Sequence, residues 1–278
     1  MKVPFFDKRI QHQFYAVLSA ISVVTSIVFL LVDIDNKWKS ALGLVILTVI
    51  FMVLYLILWC RANSRQSILL RINSSEVEVK FGNIFSEQAA LKVIAFNEYF
   101  DTQVDDNGTV IAKSTLNGQF IERFYKDKVA DLDTIISADA HLSGVIVEEN
   151  ENRRFGKKTK YKLGTICIAN DYLLIALTHF NDDNKAYLEI TDYINCLMNF
   201  WNEIDRIYAG RAVALPVFGS GMTRINNYDF SDQELLEIIV WTFKVSRIKF
   251  TYPSRVKIVV FQEKRQKINL VALKDLET

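Results

Sequence analysis

LKVIAFNEYFDTQVDD, residues 91–106, changes character halfway along. Its first half, LKVIAF, is a short and nearly continuous apolar run, the pattern of a strand buried on both faces. Its second half opens with Asn97-Glu98-Tyr99-Phe100-Asp101-Thr102, which begins where that strand ends. In open α/β sheets, ligands bind in the crevice outside such carboxyl ends. The amide of Asn97 offers a donor and an acceptor, suited to a ribose hydroxyl pair or a base edge and equally suited to forming a turn. Glu98 is a candidate general base, although one carboxylate is no mechanism. Asp101, Asp105 and Asp106 read more simply as a solvated loop than as an acidic metal cluster.

Outward from this stretch, strands and helices alternate. SILLRI and EVEVKFG read as strands, the second with the half-exposed alternation of an edge. STLNGQFIERFY begins like a helix capped by Ser114 or Thr115. GTICIAN and DYLLIALT are neighbouring strands joined by an Asn170-Asp171 turn. Residues 185–208 form a long helix candidate, with Ile190, Ile194, Leu197, Trp201, Ile204 and Tyr208 along one face. ALPVF is another buried strand, and Ser231 with Glu234 three residues on is a capping box that opens a second long helix. KIVVFQ and INLVAL close the chain as strands. This order implies an α/β layer fold with a mixed sheet.

Two more loops sit at strand ends. Gly82-Asn83-Ile84 follows EVEVKF, and Gly219-Ser220-Gly221-Met222-Thr223 follows ALPVF. Successive glycine amides form an anion-binding nest, and Thr223 adds a hydroxyl, but the loop also reads as a plain turn. Arg224 departs from GxGxxG, and no Gly-Lys-Ser/Thr follows at P-loop spacing. The basic run RRFGKKTKYK, residues 153–162, reads as a solvated hairpin or a surface loop near anionic lipid.

The chain has 278 residues, half of them hydrophobic, and a net charge of +1, which gives no support for nucleic-acid binding. Three separated cysteines argue against a disulfide framework, and three dispersed histidines, His12, His141 and His179, against a histidine metal site. The hydrophobicity is concentrated. Residues 14–32 and 40–60 carry no charge, and each run is about 20 residues, enough to span a ~30 Å hydrocarbon core. We therefore expect a transmembrane hairpin over residues 1–63, with helices at about 14–34 and 40–60, and a soluble domain over 64–278. Lys2, Lys8 and Arg9 before the first helix, and Arg61, Arg65 and Arg71 after the second, place both termini in the cytoplasm at the inner membrane. The spans hold only Ser and Thr as polar residues, which weighs against a carrier and suits helix packing.

Taken together, the three loops resemble those of a macro domain: Gly82-Asn83-Ile84, then Phe96-Asn97-Glu98, then Phe218-Gly219-Ser220-Gly221. AFNEYFDTQVDD followed by STLNGQF resembles the divergent macro branch of bacterial antiphage proteins. With two membrane helices ahead of it, the chain resembles the transmembrane-macro effectors of Thoeris-type defence. The resemblance implies a macro-domain-like mixed sheet flanked by helices and preceded by the hairpin. It implies an ADP-ribose-type ligand contacting Asn83, Ile84, Asn97, Glu98, Tyr99, Asp101, Thr102, Ser114, Gly118, Gln119, Gly219, Ser220, Gly221, Met222 and Thr223. Tyr99, Phe100 and Met222 are the candidates for touching a group attached to the ADP-ribose. Asn83 stands where many macro domains carry an Asp that recognises the adenine amine. Hydrolytic relatives carry a glycine run after the Asn-bearing loop, and none follows Asn97, which favours binding without turnover and no cofactor. The implied signal is histidine-ADP-ribose, made from NAD by a TIR-domain partner, with homo-oligomerisation and disruption of the bilayer as the response. The alternatives are a membrane-tethered ADP-ribosyl hydrolase and a ligand-free membrane adaptor.

Overall fold

A computed structural model describes residues 3–31, 37–88, 90–181, 183–221, 224–225, 229–251 and 253–277. Two helices come first, α1 (Lys8–Leu31) and α2 (Lys37–Ser64). Both overrun their apolar runs: α1 starts at Lys8 rather than near residue 14, and α2 continues to Ser64. Their segments Lys8–Val28 and Ala41–Ser64 are long and apolar enough to cross a membrane. They are not the core of a soluble fold, since Val23, Ile27, Leu44 and Ile50 are among many large side chains left exposed. Phe14 packs edge-on against Phe51 and Tyr55 across the pair. The hydroxyls of Ser22, Thr25, Ser26 and Thr48 each donate to the carbonyl four residues earlier. The helices thus satisfy these polar side chains on their own backbones.

The strands that follow are β1 (Ser67–Ile72), β2 (Ser75–Gly82), β3 (Ala90–Asn97), β4 (Val104–Asp105) and β5 (Ile111–Ala112). Helices α3 (Leu116–Phe124), α4 (Val129–Ser137) and α5 (Ala140–Ser143) come next. Then come β6 (Ile146–Glu149), β7 (Thr159–Tyr161), β8 (Ile166–Ala169), β9 (Tyr172–Phe180) and β10 (Ala186–Leu188). The last elements are α6 (Ile190–Ile207), β11 (Ala212–Pro216), β12 (Arg224–Ile225), α7 (Asp232–Ser246), β13 (Val256–Phe261) and two 3-10 helices, Gln262–Lys267 and Leu270–Leu276.

The main sheet runs β1-β2-β13-β11-β3-β9-β10-β12, with β8 also paired to β9. Its centre, β2, β13, β11, β3 and β9, is parallel. β1 is antiparallel to β2, and β8 and β10 are antiparallel to β9, so the sheet is mixed. The alternation along β3 splits the interior in two: Leu91 and Val93 face one core, and Ala90, Ile94 and Phe96 the other. The first core is closed by α6 and α7 through Trp201, Phe200, Leu235 and Phe243. The second is closed by α3, α4 and α5 through Phe120, Ile121, Leu132, Ile136 and Leu142. Each such side chain contributes about 1.5–3 kcal/mol when fully buried. Trp201 also donates its indole N–H to Thr242 at 3.1 Å, tying α6 to α7.

Three expectations change. β2 is not an edge; β1 covers one side and β13 the other, and its alternation reflects one buried face beneath one half-open face. The helix expected from residue 185 starts at Ile190, because Ala186–Leu188 is drawn into the sheet beside β9. INLVAL is not a strand; Asn269 caps a 3-10 helix with its side chain, accepting from the amides of Val271 and Ala272. The expected Asn170-Asp171 turn and the Ser231–Glu234 capping box are both present.

Candidate functional site

A parallel centre puts five carboxyl ends on one edge of the sheet. β11 and β3 are adjacent there, so the loops beginning at Val217 and at Asn97 start side by side. β12 lies on the far side of β10, which places β3, β9 and β10 between the two ends of the glycine loop.

The glycine loop is held at its carbonyls. Phe218 accepts from the Tyr193 hydroxyl at 3.0 Å. Ser220 accepts from the Lys264 ammonium, which also lies 2.7 Å from the Asp232 carboxylate. Gly219 adopts φ +77°, a conformation that glycine alone adopts freely. A Cβ on Gly221 would meet nothing within 4 Å, so the loop is open at that point. Among the described residues, the amides of Gly219 and Gly221 donate to no partner. Met222 and Thr223 lie outside the described residues.

The loop after β3 turns inward. The side-chain oxygen of Asn97 accepts from the amides of Tyr99 and Asp101 at 3.1 and 3.2 Å, and its nitrogen donates to Asp101 at 2.7 Å. Asn97 is therefore the organiser of a tight turn in which Phe100 takes φ +47°. Tyr99 and Phe100, the candidates for touching an attached group, are both buried, and the Tyr99 hydroxyl accepts from Asn150 at 3.3 Å. Asp101 is fully buried and held by Arg153 through two bonds of 2.9 and 2.5 Å, with the Lys157 amide at 2.7 Å. Thr102 is buried and donates to Asp133 at 2.6 Å.

Arg153 corrects the reading of residues 153–162 as solvated. The segment is the end of a β6–β7 ribbon, but its arginine side chain is only 2% exposed. Its guanidinium sits 4.0 Å above the Tyr99 ring and also bonds Asn184 and the Lys157 carbonyl. A Cβ on Gly156 would come within 2.5 Å of the Asp101 carboxylate, so glycine is required for this approach. Arg153 and Gly156 were not singled out from the sequence. The only local signal was a glycine within a basic run.

Glu98 is 1% exposed and bonded to His179 Nδ1 at 2.6 Å and to the Phe180 amide at 3.2 Å, with Lys160 at 3.7 Å. The hydrogen bond to Glu98 raises the His179 pKa above its ordinary range, and Asp192, 3.6 Å from Nε2, acts in the same direction. Glu98 is thus paired rather than free to act as a lone base. Asp105 caps its own turn through the amides of Thr109 and Val110, and Asp106 pairs with Lys113. Among the described residues, no group of three His, Cys, Asp or Glu side chains is placed to hold a metal. Burial pushes the thiol of Cys167 up to about 12 and that of Cys196 up as well, so both are inert at neutral pH.

The remaining predicted residues divide. Asn83 is exposed at the end of β2 and caps the next turn by accepting from Phe85, while Ile84 is buried beneath it. Ser114 is exposed, and its carbonyl accepts from the Gln119 side chain at 3.0 Å. Thr115 is the cap of α3, not Ser114. Gly118 serves packing, since a Cβ there would fall 2.3 Å from the Ala112 carbonyl. The structure thus sets the Asn97 and Gly219 loops at the ends of neighbouring strands, places Asn83 two strands from β11, and leaves Ser114, Gly118 and Gln119 building the start of α3.

A mixed sheet with a parallel centre, helices on both faces and a glycine loop beside an Asn-bearing loop defines a macro fold, here preceded by two apolar helices. The family model described as the macro domain of Thoeris protein ThsA matches residues 77–261. The Thoeris protein ThsA of Bacillus amyloliquefaciens (strain Y2) is 41% identical over 259 residues, covering 92% of this chain and 85% of that protein. The chain belongs to the Thoeris ThsA macro-domain family. Among solved structures, a variant of the Oceanobacillus iheyensis macrodomain aligns with a TM-score of 0.50 at 14% identity, covering 76% of this chain and 98% of that one. A second variant of it, solved with ADPR, gives 0.51 at 15% identity over the same shares. At such identity the likeness establishes the fold.

Proposed function

We propose that this protein is a membrane-anchored antiphage effector whose macro fold binds an ADP-ribose-derived signal without turning it over. The observation that carries this is the glycine loop at Gly219–Gly221. It is open at Gly221, the carbonyls of Phe218 and Ser220 are tied back, and it follows β11, the neighbour of β3, on the sheet's carboxyl edge. Backbone amides in that setting favour a diphosphate. Membership of the ThsA family supports an ADP-ribose-type ligand, as does the fold shared with a macrodomain solved with ADPR.

In this reading the signal is histidine-ADP-ribose, made from NAD by a TIR-domain enzyme. Residues 1–63 anchor the protein in the inner membrane with both termini cytoplasmic, and residues 64–278 form the receptor. Ligand-driven self-association then lets the apolar helices disrupt the bilayer. Binding rather than hydrolysis is supported by the commitment of Glu98 to His179 and of Asp101 to Arg153, which leaves neither carboxylate idle beside the loop.

The test is titration calorimetry of the full chain in lipid nanodiscs with histidine-ADP-ribose, wild type against Gly221→Asp. The new carboxylate points into open space, so the melting temperature stays put. Its charge beside the diphosphate should weaken binding by at least about tenfold. Equal affinity in the two proteins would remove the glycine loop from the site.

A further inference from the structure

The 3-10 helix Gln262–Lys267 has two neighbours in sequence pointing at two distant places. Lys264 holds the Ser220 carbonyl of the glycine loop and the Asp232 carboxylate at 2.7 Å. Arg265, the next residue, donates to the carbonyl of Ser64 at 3.3 Å. With the Gln66 side-chain amide turned so that its oxygen faces the guanidinium, that oxygen accepts from both terminal nitrogens of Arg265 at 2.8 Å. Ser64 is the last residue of α2, and Gln66 immediately precedes β1. One turn of chain therefore touches both the candidate ligand loop and the base of the apolar hairpin.

A second set of contacts runs alongside. Gln233, next to Asp232 at the start of α7, accepts from the Asn269 amide at 2.8 Å. Asn269 in turn donates to Asp7 at 3.3 Å. Asp7 bonds Arg9 in the first turn of α1, and Arg9 also pairs with Asp275. Val3, Ile10 and Val271 close an apolar joint with Tyr55, Leu58 and Trp59. The segment 262–277 is thus wedged between the glycine loop with α7 on one side and the bases of α1 and α2 on the other.

We propose that Lys264 and Arg265 form a relay that reports an anion at the glycine loop to the base of the apolar hairpin; it rests on the ligand reading above. The chemistry is competition for one ammonium. Lys264 is neutralised by the single carboxylate of Asp232, and its side chain keeps 26% of its surface exposed. A diphosphate seated on the loop amides offers a denser negative charge and better acceptors than a backbone carbonyl. Lys264 turns to it and loosens from Ser220 and Asp232. A 3-10 turn has poor hydrogen-bond geometry and often marks a hinge. Its rotation carries Arg265 off Ser64 and Gln66, freeing the end of α2.

The experiment uses the full chain in phosphatidylglycerol/phosphatidylethanolamine vesicles loaded with a self-quenched dye, with histidine-ADP-ribose as the probe. Binding is read by calorimetry and output by dye release. Hydrogen exchange across residues 60–67 reports the joint directly. Arg265→Ala is expected to bind within about twofold of wild type while its ligand-dependent change in release falls by about tenfold, the size of an ordinary coupling energy. Exchange across residues 60–67 should then no longer respond to ligand, and Arg265→Lys should restore part of the response. Lys264→Met is expected to weaken binding by about tenfold, as loss of a charge-assisted contact does. Ligand-dependent exchange and release in Arg265→Ala equal to wild type would overturn the relay, as would unchanged affinity in Lys264→Met. Wild-type binding without any release would remove only membrane disruption, because exchange at residues 60–67 still decides the relay. Absence of wild-type binding would sink the ligand reading and the relay with it.

Discussion

Asp101 is the residue whose surroundings most constrain the site. A carboxylate with no exposed surface is costly unless it is paired and hydrogen-bonded. Here Arg153, Asn97 and the Lys157 amide supply that pairing together. Arg153→Met alone should cost about 3–5 kcal/mol by stranding the charge. The double variant with Asp101→Leu should recover much of it, read as melting temperatures at about 2–4 °C per kcal/mol. A double variant as unstable as the single one would mean that the pair is not the unit of stability. His179 makes a different demand. Its pKa is raised above the ordinary 6.5 by the hydrogen bond to Glu98 and by Asp192, against opposition from burial and Lys160, with Tyr187 stacked on the ring. A raised value means that its contribution is complete below about pH 6.5 and is lost as pH rises through the folded-state value. His179→Gln should therefore lower the melting temperature more at pH 6 than at pH 9. The opposite ordering would show that the neutral ring is the stabilising form. None of this was legible locally, since Arg153 stands 52 residues from Asp101 and Glu98 stands 81 from His179.

At the scale of elements, periodicity and end signals carried most of the reading. β1, β2, β3, β9 and β13 lie where apolar runs or alternation put them, and α7 starts at its capping box. The departures have tertiary causes. Ala186–Leu188 has helix-compatible residues, yet pairing with His179 and Phe180 makes it a strand. Residues 270–276 are apolar enough for a strand, but Asn269 captures the amides of Val271 and Ala272 and bends the chain helically against β1 and α7. Gly118 gives the sharpest test. Ala is usually preferred to Gly inside a helix by about 1 kcal/mol. Here the added methyl would press on the Ala112 carbonyl at 2.3 Å. Gly118→Ala should destabilise by about 1–3 kcal/mol, as overpacking does. Thermal melting would detect it, and a gain in stability would show that the α3 start can move aside.

Across the whole molecule, two parts of one chain treat their apolar residues differently. The folded part buries its apolar residues in two cores on opposite faces of the sheet. The hairpin keeps apolar side chains outward along both helices, as helices long and apolar enough to cross a membrane do. The joint between the two is neither long nor loose. Val3 to Arg9 folds back under α2, with the Trp59 indole donating to the Val3 carbonyl at 3.1 Å and Asn63 accepting from the Val3 amide at the same distance. Together with the 3-10 helices after β13, this couples the hairpin to the carboxyl edge of the sheet. The calorimetric and release measurements on Gly221, Lys264 and Arg265 belong to this scale, because they ask whether that coupling transmits.

The sequence by itself determined the α/β class, most of the long strands and helices, the two apolar runs and the loops that carry the family resemblance. These follow from patterns with periods of two to four residues and from runs long enough to cross a bilayer, all readable within a short window. Only the tertiary structure decided which polar residues are consumed internally. Asn97, Glu98, Asp101 and Arg153 turned inward, whereas Gly221 stayed open. It also decided that Lys264 and Arg265 reach the loop and the hairpin at once. The physical reason is that burial and charge pairing depend on strand order, which brings distant segments to one edge. A residue's own neighbours in sequence carry no record of that arrangement.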